Sequence, residues 1–339
     1  MNDPRPDSGA GPGGAFAATL ADVQAAAERI RPWATVTPVM TSRTLDALSG
    51  RQVFLKCELF QRVGAFKFRG ACNAVMKLPD ALASRGVVTH SSGNHAQALA
   101  LAARLRGIPA YIVMPSNAPP VKRRAVEEYG GQVTECRPTV AERERVAAEV
   151  VARTGGTLIP PYDHPDVIAG QGTIALEFLA QVPELDAIVV PLGGGGMLSG
   201  VAIAAKALSP RTLIHGAEPE AVDDAARGRV SGRLEPPTEK PTVADGLKTS
   251  LGQLTFPVVQ RLVDHVFTVS EREILRALRL MWERTKLLIE PSAAVGPAVL
   301  LSRDWQERVP PEVRRVGIIL CGGNVDLDQV PALLAAARE

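Results

Sequence analysis

Lys67 stands between two phenylalanines in the run Gly64-Ala65-Phe66-Lys67-Phe68-Arg69-Gly70. An ordinary lysine snorkels its ammonium to water along an apolar surface. The flanking rings here predict a desolvated amine instead. Burial disfavours the charge and leaves a nitrogen able to condense with a carbonyl. Other runs could hold anions beside it. Ser91-Ser92-Gly93-Asn94-His95-Ala96-Gln97 opens an expected helix and presents free backbone N–H groups to a carboxylate or phosphate. Its small and polar residues exceed what one cap requires. Gly193-Gly194-Gly195-Gly196-Met197-Leu198-Ser199-Gly200 follows an apolar strand. Consecutive glycines cost backbone entropy and suit a chain that approaches an anion closely at a helix start. Leu198 falls where a dinucleotide fingerprint needs its third glycine, and no Lys-Ser or Lys-Thr pair follows, so a P-loop is excluded. Leu320-Cys321-Gly322-Gly323-Asn324 ends another strand. Glu218 and Asp224, with Glu220 and Asp223 nearby, form either a solvated acidic loop or a site for a hard divalent cation.

The elements that position these residues alternate in kind. Short β-rich runs are expected at Val53–Leu55, Gly86–His90, Ala110–Met114, Gln132–Glu135, Ala187–Pro191, Leu213–Ala217, Val266–Val269 and Val316–Leu320. Helical periods fill Ala96–Arg106, Val121–Tyr129, Val140–Thr154, Gly172–Gln181, Leu198–Leu208 and Glu271–Lys286, with glycines at the ends such as Gly107, Gly130 and Gly155. Such alternation predicts an α/β fold with mostly parallel sheet and helices on both faces. Ligands in such sheets bind beyond the carboxyl ends of the strands, where the glycine runs fall. The units from Gly86 to about Pro160 are expected to form a compact subdomain, and Gly228–Pro241 a surface loop.

Composition removes several classes. The 38 basic and 36 acidic residues leave a net charge of +2, which gives no electrostatic basis for nucleic-acid binding. No apolar run is long enough to span a bilayer. The opening MNDPRPDSGAGPGGAF has no signal-peptide pattern and predicts a disordered tail, placed at residues 1–27. Cys57, Cys72, Cys136 and Cys321 show no CxxC spacing, so neither a disulfide framework nor a zinc site is expected, and a reducing cytoplasm fits. All but Cys321, which sits in a candidate motif, read as small buried hydrophobes.

Taken together, these motifs resemble the fold-type II family of pyridoxal-phosphate enzymes, which includes serine/threonine dehydratases and serine racemases. The resemblance runs from about Ile30 to Val330. The stretches FLKCELFQRVGAFKFRGA, VIAGQGTIALE, VPLGGGGML, TVADGLKTS, ERTKLLIEPSAAVG and LCGGNVDL have near counterparts in the serine racemase group. It implies two open, twisted, mostly parallel sheets. Residues 28–85 and 164–339 would form a large cofactor-binding domain, and 86–163 a small mobile one. By position, Lys67 would be the Schiff-base lysine and one catalytic base, with Phe66 packed near the ring. Asn94 would bond the cofactor's 3′-oxygen, and Gly193, Gly194, Gly195, Gly196 and Met197 would bind its phosphate. Cys321 would face the pyridine nitrogen. Ser91, Ser92, Asn94 and His95 would surround the substrate carboxylate, with Arg143 and Thr249 nearby. Glu218, Asp224 and the Val222 carbonyl match a site for Mg2+, Ca2+ or Mn2+.

The activity implied by this resemblance is dehydration and deamination of L-serine or L-threonine to a 2-oxo acid and ammonia. Ser92, as a second-face acid, would add serine racemisation. Pro160-Pro161-Tyr162-Asp163 is closer to bacterial threonine dehydratases, and Thr249 replaces a serine typical of racemases. These departures leave the substrate and any activation by ATP open. L-threo-3-hydroxyaspartate is the alternative, since Arg143 could meet a second carboxylate. An NAD-dependent oxidoreductase is disfavoured by the glycine spacing. The family further implies a homodimer acting on a small hydroxy amino acid, with no nucleic-acid or membrane partner.

Overall fold

A computed structural model describes residues 16–91, 93–118, 120–238 and 240–337 of the chain. The strands are β1 Val39–Thr41, β2 Gln52–Cys57, β3 Val87–His90, β4 Ala110–Pro115, β5 Gly131–Cys136, β6 Thr157–Leu158, β7 Ala187–Pro191, β8 Leu213–Pro219, β9 His265–Val269 and β10 Arg315–Leu320. They form a six-stranded sheet ordered β1-β2-β10-β7-β8-β9 and a four-stranded sheet ordered β5-β4-β3-β6. Every pairing is parallel except β1 with β2. The fold is therefore the α/β architecture that the strand–helix alternation implies. The three-residue β1 and the two-residue β6 carry too little sequence for a period to announce them.

Fully apolar strands such as Ala187–Pro191 mark a sheet covered on both faces. The helix Pro291–Leu301 is buried along nearly its whole length against the large sheet, and apolar residues surround it. The helix Pro165–Gln181 begins seven residues before the expected Gly172, because His164 caps it and Pro165 opens it. It is the hub of the site's scaffold. Its Gly170 meets Gly70 so closely that a Cβ would lie 2.6 Å from the Gly70 Cα, and its Gly172 meets Gly200 equally closely. The helix that carries Lys67 and the helix that follows the glycine run thus rest on one common support. The glycines of VIAGQGTIALE serve this packing.

The expected disordered tail ends earlier than residue 27. Leu20–Ile30 is a helix with a capping box between Thr19 and Asp22, and its Val23, Ala26 and Ile30 are buried. Its buried positions recur at i, i+3 and i+7, but the alanines around them blur that period, and a Pro/Gly-rich run precedes it. The first fifteen residues lie outside the described ones. Gly228–Pro241 is likewise only partly loop, since the helix Asp224–Ser231 takes its first turn.

Beneath Lys67 lies a buried ionic cluster. Arg69 donates from Nε to Glu58 at 2.7 Å and from Nη1 to Glu177 at 2.7 Å, and Lys56 reaches Glu177 at 2.7 Å. Thr37 and Thr173 complete the hydrogen bonding. Lys56, Glu58 and Arg69 are at most 1% exposed. Ions this deep persist only when paired and fully hydrogen-bonded. Arg69 therefore fixes the first turn of the Lys67 helix to the turn that follows β2 and to the hub helix.

Candidate active site

The carboxyl ends of β3, β7, β8 and β10 carry the four loops that the sequence singles out. After β10, the Cys321 carbonyl accepts from the Phe66 amide at 3.0 Å, and Ala65 pairs with Gly322. This short bridge holds Lys67 at the first position of the helix Lys67–Lys77. Lys67 is half-buried, its Nζ lies 5.1 Å from the Phe66 ring centre, and it donates to the Pro161 carbonyl at 2.7 Å. Burial lowers its ammonium to about 8, against the opposing pull of Cys321 and Glu290. An amine so placed spends an appreciable time neutral near physiological pH, as a nucleophile or base must.

The glycine run opens the helix Gly196–Leu208, with Gly195 at φ +83°. A Cβ on Gly194 would lie 2.4 Å from the Tyr162 ring, and one on Gly196 2.9 Å from the Tyr162 Cβ. One on Gly193 would strike the Leu247 backbone at 2.9 Å, and one on Gly195 would meet Leu251 at 2.6 Å. All four glycines are thus demanded by protein packed on their side-chain faces. On the other face, none of the amides of Gly193 to Leu198 donates to an acceptor among the described residues. A helix start with unspent N–H groups fits a phosphate. Gly194→Ala is expected to push Tyr162 off the loop. It should weaken cofactor binding about tenfold or more and cost roughly 1–3 kcal/mol of stability through overpacking, as read by cofactor titration and thermal unfolding.

After β3, Ser91 is half-buried and its Oγ accepts from the Gly93 amide at 3.3 Å. Ser92 lies outside the described residues. Asn94 begins the helix Asn94–Arg106 without a side-chain cap, so its early amides also remain unspent. His95 is buried and its Nε2 donates to the Ile159 carbonyl at 3.0 Å, which leaves Nδ1 as a bare acceptor. Burial, with Lys67 nearby, lowers it to about 3, so the ring is neutral. A neutral acceptor nitrogen does not attract a carboxylate. The bond to the Ile159 carbonyl ties this helix start to the segment just after β6. Arg143, on the helix Val140–Thr154, is half-buried with no partner for its Nε among the described residues, and its charge acts on His90 at the end of β3. Thr249 is exposed in the turn beyond Leu247.

Cys321 is 2% exposed, and burial pushes its thiol well above the ordinary range. At the end of β8, the Glu218 carboxylate accepts from the amides of Ala225 and Ala226, and Asp224 accepts from Leu251. Both are buried, as is Val222. Burial first, then Asp224, raises Glu218 well above the carboxylate range, and burial raises Asp224 to about 6.

The sequence profile of the family described as "Pyridoxal-phosphate dependent enzyme" matches residues 30–322. The chain belongs to this family. It is 52% identical to the serine racemase of Homo sapiens over 316 residues, 92% of this chain and 93% of that one. It is 48% identical to the beta-hydroxyaspartate dehydratase of Paracoccus denitrificans, over 92% of this chain and 98% of that one. The solved structure of maize serine racemase superposes with a TM-score of 0.92 at 46% identity, covering 94% of this chain and 98% of that one.

Two residues of this pyridoxal-phosphate enzyme's site escape the sequence reading. Tyr162 stood out there only as a marker of subtype, yet its ring is the wall of the glycine loop. Beside it, Asp163 accepts from the amides of Gln253, Leu254 and Thr255 and so ties the same connection to the start of the helix Thr255–Leu262. Glu290 is buried between Asn94, Cys321 and Asn324. A single acid inside Leu287-Leu288-Ile289-Glu290-Pro291-Ser292-Ala293 was the available signal.

Proposed function

We propose that this enzyme removes the β-hydroxyl of L-serine or L-threonine as water, the released enamine then being hydrolysed to a 2-oxo acid and ammonia, and interconverts L- and D-serine. The observation that carries this reading is the half-buried Lys67 amine, lowered by burial, in the field of Cys321 and Glu290 and bonded to the Pro161 carbonyl, next in the chain to the Tyr162 ring that walls the glycine loop. The named activities of its relatives support it. Pyridoxal phosphate, when bound, supplies the electron sink that makes the substrate Cα–H acidic. The cradle of Gly193, Gly194, Gly195, Gly196 and Met197 would hold its phosphate, with Lys67 and Phe66 beneath it and Asn94 and Cys321 at its ring.

The chain's own residues then decide the outcome. The amides at the start of Asn94–Arg106, with Ser91, orient a substrate carboxylate. Lys67 takes the proton from Cα on its own side, which its lowered ammonium permits. Ser92 would return a proton to the opposite side, and that step separates racemisation from elimination. Residues 86–163 would close over the substrate and exclude water. The ion pair of Lys122 with Asp245 at 2.6 Å, which joins the helix Pro120–Glu128 to the turn beside the glycine loop, supports such a contact. Glu218, Asp224 and the Val222 carbonyl would hold Mg2+ or a similar cation. Two buried carboxylates with raised proton affinity suit one. No cluster of three or more His, Cys, Asp or Glu side chains with metal geometry occurs among the described residues, so backbone carbonyls and water would complete the shell. A homodimer belongs to the same reading and rests on the resemblance alone. Four free, buried cysteines support a reducing cytoplasm.

The unpartnered Arg143 Nε and the similarity to a β-hydroxyaspartate dehydratase favour a second reading, in which a substrate β-carboxylate meets Arg143. A panel decides between them. Oxo-acid release is followed from L-serine, D-serine, L-threonine and L-threo-3-hydroxyaspartate, with and without Mg2+ and ATP, alongside chiral chromatography of residual serine. The first reading expects oxo acid and D-serine from L-serine. Ser92→Ala is then expected to keep elimination of L-substrates and lose D-serine formation by roughly 100-fold or more, the usual worth of a placed acid or base. Rapid turnover of hydroxyaspartate alone would replace it with the second.

A further inference from the structure

Glu290 immediately precedes the helix Pro291–Leu301, where an acidic side chain would ordinarily cap the helix's own amides. It makes no such bond. The carboxylate turns toward the active site and is 5% exposed. It accepts from Asn94 Nδ2 at 3.1 Å on Oε1 and 3.2 Å on Oε2, and from the Asn324 amide at 3.2 Å. The Cys321 thiol lies 4.0 Å from Oε1. A Cβ on Gly322 would fall 2.9–3.0 Å from all three carboxyl atoms, so that glycine is the space this group occupies. No cation pairs with Glu290 among the described residues; Lys67, Lys122 and Asp245 act on it only through their fields.

The consequence falls on Asn94. Its Oδ1 accepts from Asn324 Nδ2 at 2.8 Å, and Asn324 spends its other side-chain hydrogen on the Val63 carbonyl at 2.7 Å. Asn94 Oδ1 therefore faces a donor, while Asn94 Nδ2 faces an acceptor that has no hydrogens to give when ionised. Two independent partners fix which end of this amide is nitrogen. With one Nδ2 hydrogen shared between the two carboxylate oxygens, the second Nδ2 hydrogen and one lone pair of Oδ1 remain on it. We propose that Glu290 is a positioning residue that locks the Asn94 carboxamide with a donor, never an acceptor, toward the oxygen of the cofactor ring. Burial, then the charge of Asp245, raises Glu290 to about 7, while the Asn94 and Asn324 donors favour its ionised form. A role limited to stitching the Gly322–Asn324 loop to the helix would leave the cofactor's electronic state untouched.

The inference rests on the reading in which pyridoxal phosphate lies over Asn94 and Cys321. Wild-type protein loaded with pyridoxal phosphate tests that reading first: a colourless wild type ends it, and only a coloured one bears on Glu290. Glu290→Gln keeps size and removes charge, so one of its hydrogens must meet a donor of Asn94, Asn324 or Cys321. The coloured holoenzyme of this variant is expected to show a changed balance between its visible and near-ultraviolet bands. Its kcat should fall about 10- to 100-fold with KM little altered, the equivalent of one hydrogen bond to a charged group. Glu290→Asp is expected to move the bands the same way by less, and it supplies the answer should the glutamine variant not fold. Bands and cofactor affinity identical to wild type, in whichever variant folds, overturn the proposal.

Discussion

Lys67→Ala is expected to give a folded protein that does not take on the visible colour of the lysine-bound cofactor and turns over no substrate. The rate should fall by at least roughly 1000-fold, since one side chain supplies both the covalent anchor and a positioned base. The fold should survive. Lys67 sits at a helix start, where its side chain spends one bond on the Pro161 carbonyl, and the helix is held from below by Arg69. Lys67→Arg is an informative companion. It keeps the charge and the reach to Pro161, but a guanidinium does not lose its proton in a protein and cannot anchor or abstract. Absorbance after incubation with pyridoxal phosphate and single-turnover assays read both variants. A coloured, active Lys67→Ala protein would sink the assignment of the lysine and the proposed chemistry with it.

Arg69→Ala carries the largest expected effect on stability. Removing the guanidinium strands Glu58, which is fully buried, and leaves Glu177 with Lys56 alone. Breaking a buried ionic network from one side costs about 3–5 kcal/mol, because the charges left behind are desolvated without compensation. For a chain of this size that corresponds to a fall of roughly 10 °C in Tm. The residual activity per folded molecule should change far less than the folded fraction. Thermal unfolding of the loaded enzyme, with specific activity at low temperature, separates the two. A Tm within about a degree of wild type would show that the cluster is replaceable by water. Arg69 stands two residues from Lys67, in a run whose residue types suggested ligand chemistry, yet its partners are all structural.

How much of this was legible in the chain depends on the range of the forces involved. Strand and helix identity follows from side-chain periodicity along a few residues, so the β-rich runs and the helical stretches lay open in the sequence, and with them the α/β class. The glycine run after β7 and the small residues after β3 were legible for the same reason, because a helix start that must leave its amides free needs residues without bulk nearby. Membership of the pyridoxal-phosphate enzymes followed from motif order. Elements as short as β1 and β6 have no period to read, and the helix Leu20–Ile30 hid behind the composition of its neighbours.

Contacts between distant segments were decided by tertiary structure alone. Tyr162 and Gly194 are far apart in the chain, and only packing shows that the glycine run yields space to that ring as well as to an anion. The neutrality of His95 follows from burial beside Lys67, and the Ile159 carbonyl just after β6 fixes which ring nitrogen carries the proton. Glu290 reads in sequence as a lone acid in an apolar stretch. It becomes the partner of Asn94 and Asn324 because the segments that follow β3 and β10 meet at its carboxylate. The sequence by itself determined which residues could do the chemistry, since their types and local spacing are properties of the chain. Which protons and lone pairs they present was left to burial and to partners tens or hundreds of residues away, because desolvation and hydrogen-bond geometry exist only once the chain has folded.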